Sequence, residues 1–160
     1  ESIDFARSKS DQLYPATLQY LGLLPTLENY VHGFAQRTGI HCKIQSPTQL
    51  PGLPADQALA VFRIVQEAFT KVPRHAAANT IVLSVEVQGS ILRVCVQDNG
   101  IGVDASNGRE GALGVLFMRE RAAEFGGELQ LRNSSPQSGT EMCLTMPIRL
   151  PVVPPHGEQG

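Results

Sequence analysis

The 160-residue chain contains no apolar run long enough to cross a bilayer and no leader-like segment at its start. Its opening at Glu1, without Met, reads as a piece of something longer. Neither charge sign dominates. The net charge of −2 provides no basic field for nucleic acid or an anionic membrane, so no nucleic-acid partner is expected. Cysteine is scarce: Cys42, Cys95 and Cys143 are an odd number, far apart in strand-like runs. That spacing argues against a metal site and predicts separate buried thiols in a reducing, cytoplasmic setting. No internal repeat occurs. What remains is 42% hydrophobic and 18% charged, enough to fold one compact domain with its own core.

The most informative passage runs Val94-Cys95-Val96-Gln97-Asp98-Asn99-Gly100-Ile101-Gly102. An alternating strand delivers a carboxylate into a turn with a glycine on either side of Ile101. An ionised Asp only accepts hydrogen bonds, so Asp98 suits the exocyclic amine of adenine and repels the carbonyl of guanine. An Asn-Gly turn is also ordinary hairpin chemistry, and the surroundings decide between the two readings.

Upstream, Ala58, Val61, Phe62, Val65, Ala68, Phe69 and Val72 fall on one face of a helix predicted from Pro54 to Val72. Pro54 and Asp56 suit its first turn. Another stripe carries Arg63, Glu67, Lys71 and Arg74. Glu67 and Lys71 also read as a solvated i,i+4 ion pair, worth a few tenths of a kcal/mol (~0.3). Pro25 opens an earlier helix bearing Leu27, Tyr30, Val31, Phe34 and Ala35, with Gly39 as its stop. Strands are expected at about 41–45, 80–87, 91–97, 128–132 and 140–146. Residues 103–112 read as a glycine-rich lid, 113–124 as a helix ended by Gly126-Gly127, and 149–160 as a disordered tail with three prolines and two glycines. The predicted architecture is α+β: a two-layer α/β sandwich with helices on one face of a mixed, mainly antiparallel sheet.

Taken in order, Glu67-Ala68-Phe69-Thr70-Lys71 with Arg74-His75, the Asp98 turn, Gly114-Val115-Leu116-Phe117-Met118-Arg119-Glu120-Arg121 and Ser138-Gly139-Thr140 resemble the ATP-binding domain of sensor histidine kinases. The fold implied is the Bergerat type. The entry segment, Leu21-Gly22-Leu23 and Arg37-Thr38-Gly39-Ile40, resembles the nitrate/nitrite-sensor subgroup. The resemblance spans about 13–148. It implies the end of a dimerisation and phosphoacceptor hairpin with its linker over 1–22, and an ATP-binding catalytic domain over 23–148.

By the same resemblance, the ATP γ-phosphate goes to a histidine on a separate dimerisation domain of the same parent, and a response regulator is the later partner. Glu67, Lys71, Arg74 and His75 are then the catalytic candidates. Asp98, Gly100, Gly102, Gly111, Gly114, Val115 and Thr140 are the ATP-binding ones, with glycines 108, 111 and 114 freeing the lid. Magnesium bridges the phosphates in such sites, with Glu67 as a possible contributor. None of His32, His41, His75 and His156 precedes an acidic residue on a phosphoacceptor-type helix, so the phosphorylated histidine is expected outside this chain. The chain is then expected to be monomeric and its parent a homodimer, cytoplasmic or the cytoplasmic part of a membrane-bound sensor.

The chain departs from the pattern at three places. Lys71 replaces the family's asparagine, and an ammonium has no lone pair for a metal. Either it sits on the phosphates as a point charge and weakens magnesium dependence, or the domain is a degenerate, pseudokinase-like interaction module. Pro73 is expected to kink or end its helix early. Phe117 stands where many relatives carry glycine and is assigned to packing. Gly100-Ile101-Gly102-Val103-Asp104-Ala105 formally fits a dinucleotide fingerprint, but no helix follows at once and no later strand supplies the acid. Another ATPase of the same nucleotide fold, such as the gyrase or heat-shock chaperone type, is the closer rival.

Overall fold

A computed structural model describes residues 15–75, 79–100, 109–133 and 139–149. Helices α1 (Ala16–Leu21) and α2 (Leu23–Thr38) precede strand β1 (His41–Gln45) and the long helix α3 (Ala55–His75). Strands β2 (Thr80–Gln88) and β3 (Ile91–Asp98), helix α4 (Arg109–Ala123), and strands β4 (Glu128–Asn133) and β5 (Thr140–Pro147) complete the fold. The five-stranded sheet has the order β1-β2-β3-β5-β4, parallel only between β1 and β2. This is the expected two-layer, mainly antiparallel α/β architecture.

Alternation in the strands decides which face is covered. Ile81, Leu83 and Val85 of β2, Leu92, Val94 and Val96 of β3, and Met142, Leu144 and Met146 of β5 are all buried. Their neighbours Glu86, Arg93 and Thr145 lie exposed on the other face. Helix α3 lays Val61, Phe62, Ile64, Val65, Ala68 and Phe69 into the core, a stripe wider than the predicted one because Ile64 and Ala60 join it. Between α2 and α3 the rings of Tyr30, Phe34, Phe62 and Phe69 meet edge-on or tilted, with centroids 5.2–6.3 Å apart. Gly39 ends α2 in the left-handed conformation, φ 75°, and donates its N–H to Ala35.

Gln57 is a polar residue inside this core, fully buried at the start of α3. Its Nε2 donates to the Pro147 carbonyl at 2.7 Å, and its Oε1 accepts the Arg149 N–H at 3.0 Å. The side chain thus pins the end of β5 to the helix layer, and each of its polar atoms has a partner.

Several expectations need correction. Helix α3 does not end early at Pro73 but continues to His75. A proline so close to a helix end removes one backbone bond from the final turn and leaves the rest of the helix intact. Helix α4 begins at Arg109, not 113, so Gly111 and Gly114 are helical and only Gly108 of the three lid glycines lies before it. Phe117, expected to pack, is 51% exposed, because Met118 and Ala122 supply the buried side of α4. Cys95 and Cys143 are not separate thiols: the β3–β5 register sets them opposite each other and they are joined as a disulfide, leaving Cys42 free. A separation of 48 residues concealed that pairing from the linear sequence.

Candidate functional site

Two constructions face the ends of the core elements. The first is built from strand ends. Period-two alternation turns Asp98 inward at the end of β3, with Thr140 as its register partner at the start of β5. The Asp98 side chain is buried, and its Oδ1 accepts the Gly100 N–H at 2.8 Å. Burial pushes the carboxyl above its usual range; the N–H groups of Gly100 and Thr140 oppose that shift by stabilising the anion. Gly139 closes the same corner by donating its N–H to the Gly100 carbonyl at 2.6 Å.

Asn99 has a role that the linear reading missed. Its Oδ1 accepts the N–H groups of Asn79 at 2.9 Å and Thr80 at 3.1 Å, fastening the turn after Asp98 to the start of β2. The tendency of Asn to bond nearby backbone was visible; a partner 20 residues upstream was not.

The second construction comes from facing helices. Glu67 and Lys71 are one turn apart on α3, with the ammonium 3.8 Å from Oε1. The Lys71 side chain retains only 22% of its exposure. Gly114, buried in α4, faces this pair so closely that a Cβ there would run into the Lys71 ammonium and the Glu67 carboxylate. The absence of a side chain therefore lets the α4 backbone approach both charges. Val115, the next residue, is partly buried against the core.

The other candidates are placed less fully. Gly111 is in the first turn of α4 and Gly100 in the bend after β3. Arg74 and His75 belong to the last turn of α3, with their side chains outside the described part. Gly102 lies outside the described residues, as do the lid before Arg109 and the tail from 150 onward.

The donor set offers little to a protein-held cation. Among the described residues no three His, Cys, Asp or Glu side chains gather as a metal cluster. Glu67 contributes one carboxylate, and that carboxylate faces an ammonium rather than a second oxygen ligand. Among the described residues, Glu67 is thus the one carboxylate at this place that could reach a phosphate-bound magnesium ion, and the Lys71 ammonium beside it competes for the same oxygen. No helix among the described residues is long and apolar enough to cross a membrane.

Similarity to known proteins follows this geometry. Residues 56–150 match the family described as histidine kinase-, DNA gyrase B-, and HSP90-like ATPase. The chain is 40% identical over 145 residues to the sensor histidine kinase MctS of Rhizobium johnstonii, covering 88% of this chain and 31% of MctS. It is 35% identical over 131 residues to the signal transduction histidine-protein kinase/phosphatase DegS of Brevibacillus brevis, covering 82% of this chain and 34% of DegS. The nitrate/nitrite sensor protein NarX of Escherichia coli is 31% identical over 126 residues, covering 78% of this chain and 21% of NarX. The chain thus spans about a third or less of the length of these relatives. Among solved structures, the Erythrobacter litoralis EL346 blue-light activated histidine kinase aligns with TM-score 0.64 and 25% identity, over 79% of this chain and 42% of that one. With residues 56–150, more than half of the chain, matching that description, the chain belongs to the histidine kinase-, DNA gyrase B- and HSP90-like ATPase family.

Proposed function

We propose that this chain is the ATP-binding catalytic domain of a two-component sensor histidine kinase, transferring the γ-phosphate of ATP to a histidine on a separate dimerisation domain of its parent. The observation that carries this reading is Asp98: a buried carboxylate at the end of β3, held in place by the N–H groups of Gly100 and Thr140. A fixed acceptor suits the adenine amine and disfavours guanine, which presents a carbonyl at that position. Gly100 and Gly102 then leave room for the base, and Thr140 orients the aspartate.

Phosphoryl transfer depends mainly on positioning and on neutralising charge. Lys71 meets the second need. Its ammonium, beside the α4 backbone at Gly114, acts as a point charge on the phosphates. Arg74 and His75 extend the same helix toward the phosphoryl end, and Gly111 belongs to the first turn of α4, where backbone N–H groups favour anions. Glu67 polarises the attacking imidazole. No step is assigned to magnesium; the ion, where present, is carried by the phosphates. In the parent, a homodimer is expected to bring the histidine hairpin to this domain and a response regulator to receive the phosphoryl group, on the cytoplasmic side.

A second reading, a nucleotide-binding interaction module without transfer, draws on Lys71 in place of the family's asparagine. Labelled ATP mixed with this chain and the histidine hairpin of its own parent separates the alternatives. Label on histidine is the expected result. Free phosphate alone would make the chain an ATPase of the gyrase type, and neither product would make it a binding module. Titration of ATP with and without magnesium, on this chain and on Lys71→Asn, tests the role of the lysine. Binding to the unaltered chain is expected to depend less on magnesium than binding to the variant; the opposite order would refute it.

A further inference from the structure

The sheet face turned away from the helices carries chemistry that nucleotide binding does not use. Cys95 of β3 and Cys143 of β5 are direct register partners with Cα atoms 4.2 Å apart, the close spacing of a non-hydrogen-bonded antiparallel pair. Arg93, two residues before Cys95 on the same face, directs Nε to Cys95 Sγ at 3.4 Å and Nη2 to Cys143 Sγ at 3.7 Å. Cys95 is partly exposed, whereas Cys143 is 7% exposed. Cys42, by contrast, stands alone at the sheet edge on β1, and burial pushes its thiol up, toward the unreactive form.

We propose that Cys95 and Cys143 form a reversible redox pair, exchanged by small-molecule disulfides such as oxidised glutathione, which controls nucleotide affinity through the β3–β5 ladder.

Three features make the pair exchangeable. The eight register pairs of β3 with β5, not the sulfur bond, set the distance between the two residues, so reduction leaves the thiols facing each other. The Arg93 guanidinium stabilises a thiolate on either sulfur. The unequal exposure assigns the order of events. The Cys95 thiolate attacks one sulfur of the glutathione disulfide, forming a mixed disulfide and releasing one glutathione thiolate. The Cys143 thiolate then attacks Cys95 Sγ and expels the second glutathione thiolate. Two protein thiols lose two electrons, one glutathione disulfide gains them, and the two thiol protons end on the two glutathiones.

Coupling to the site follows from the ladder and rests on the nucleotide reading above. Cys95 is three residues before Asp98 on β3, and Cys143 three residues after Thr140 on β5, so the sulfur rung and the Asp98–Thr140 rung belong to one strand pair. The odd offset puts the sulfurs on the outer face and the carboxylate on the inner. The ladder keeps the register in both states; the covalent tie additionally restrains the Asp98–Thr140 end of the pair from fraying, keeping the Thr140 N–H on Asp98 and the acceptor pre-set for adenine. Oxidation therefore increases the binding-competent fraction.

The test equilibrates the chain with reduced and oxidised glutathione at several ratios, counts free thiols, and titrates ATP at each. Counted after acid quenching and unfolding, one thiol, Cys42, is expected under oxidising ratios and three under reducing ratios. ATP should bind about fivefold more tightly to the oxidised form, the low end of ordinary coupling between sites. Cys42→Ser should keep this response. Cys95→Ser with Cys143→Ser should bind as the reduced chain does at every ratio, and circular dichroism shows that it remains folded. A constant thiol count would overturn the redox pair; equal or weaker ATP binding on oxidation would overturn the coupling. If neither form binds ATP, the coupling falls together with the nucleotide reading, and the thiol count separately decides the exchange.

Discussion

Asp98→Asn should weaken ATP binding without weakening the unliganded domain. In the folded chain the carboxylate has taken the Gly100 N–H at 2.8 Å, and the N–H of Thr140 is also directed to it. An ionised carboxylate offers two acceptor oxygens, each with more than one lone pair, to the backbone donors and to the adenine amine; an asparagine has a single oxygen. Turning that oxygen to adenine points its NH₂ at backbone donors, and the reverse orientation points the NH₂ at the adenine amine. The loss is one charge-assisted hydrogen bond, about 1.5–3 kcal/mol, or roughly 10- to 100-fold in Kd.

Stability should respond in the opposite sense. Burial raises the Asp98 pKa in the fold above its ordinary value of 3.8. The folded chain then holds that proton more tightly than the unfolded chain, so this contribution to stability is present below the unfolded pKa and is lost as pH rises through the folded one. At neutral pH the buried carboxylate is a net cost, and Asn, an isostere of the protonated acid, removes it. Isothermal titration and thermal melts between pH 4 and pH 7.5 test both halves. Asp98→Asn should melt at or above the unaltered chain at neutral pH, with the gap closing on acidification. ATP affinity of the unaltered chain should fall as Asp98 protonates. A variant that binds ATP within about threefold of the original refutes base recognition by this carboxylate. A variant that melts several degrees lower at neutral pH refutes the electrostatic argument.

Gly114→Ala separates the site from the fold in a different way: it should hold or raise the melting temperature, since alanine is favoured over helical glycine by about 1 kcal/mol, while displacing Lys71 and Glu67 and lowering ATP affinity on titration. Gln57→Leu leaves the Pro147 carbonyl and the Arg149 N–H without their side-chain partner; urea denaturation should register a loss of about 1–3 kcal/mol for the part-buried groups, with little change in ATP affinity. Phe69→Ala removes a fully buried ring that packs edge-on against Tyr30 and Phe34, and the same urea assay should show a loss of about 3–5 kcal/mol.

The strands and the placement of Asp98 are legible in the sequence because both depend on short-range rules. Alternation gave β2 and β3 nearly to the residue, and the carboxylate at the end of β3 followed from counting inward and outward positions. Helix α4 starts four residues before the expected 113, because Gly111 and its small or polar neighbours look like loop residues when judged by propensity alone. What propensity omits is the neighbour: Gly114 lets α4 pass close to α3, and the ends of the Lys71 and Glu67 side chains occupy the space of its missing side chain. Lys71 and Gly114 each carried half of that signal, 43 residues apart. The disulfide was hidden for a similar reason, since only the register of β5 on β3 brings Cys143 to Cys95. Pro73 was overweighted, because the rule that proline breaks helices applies to interior turns more than to the last one.

The two constructions also differ in stiffness, and this bears on what the sulfur pair can influence. The Asp98 corner, proposed to read the base, is built from backbone: a register rung, two N–H donors on Asp98, and the Asn99 clamp to β2. The Glu67–Lys71 face, proposed to meet the phosphates, is built from the ends of two long side chains on α3 facing a glycine on α4, atoms that move without disturbing either helix. A tie between β3 and β5 acts on the first construction directly and reaches the second only through packing between layers. Oxidation of Cys95 and Cys143 should therefore change ADP and ATP affinities by the same factor, because both nucleotides present the same base to Asp98. Parallel titrations of the two nucleotides at each glutathione ratio measure this, and a factor that differs between them would locate the coupling at Lys71 instead of Asp98.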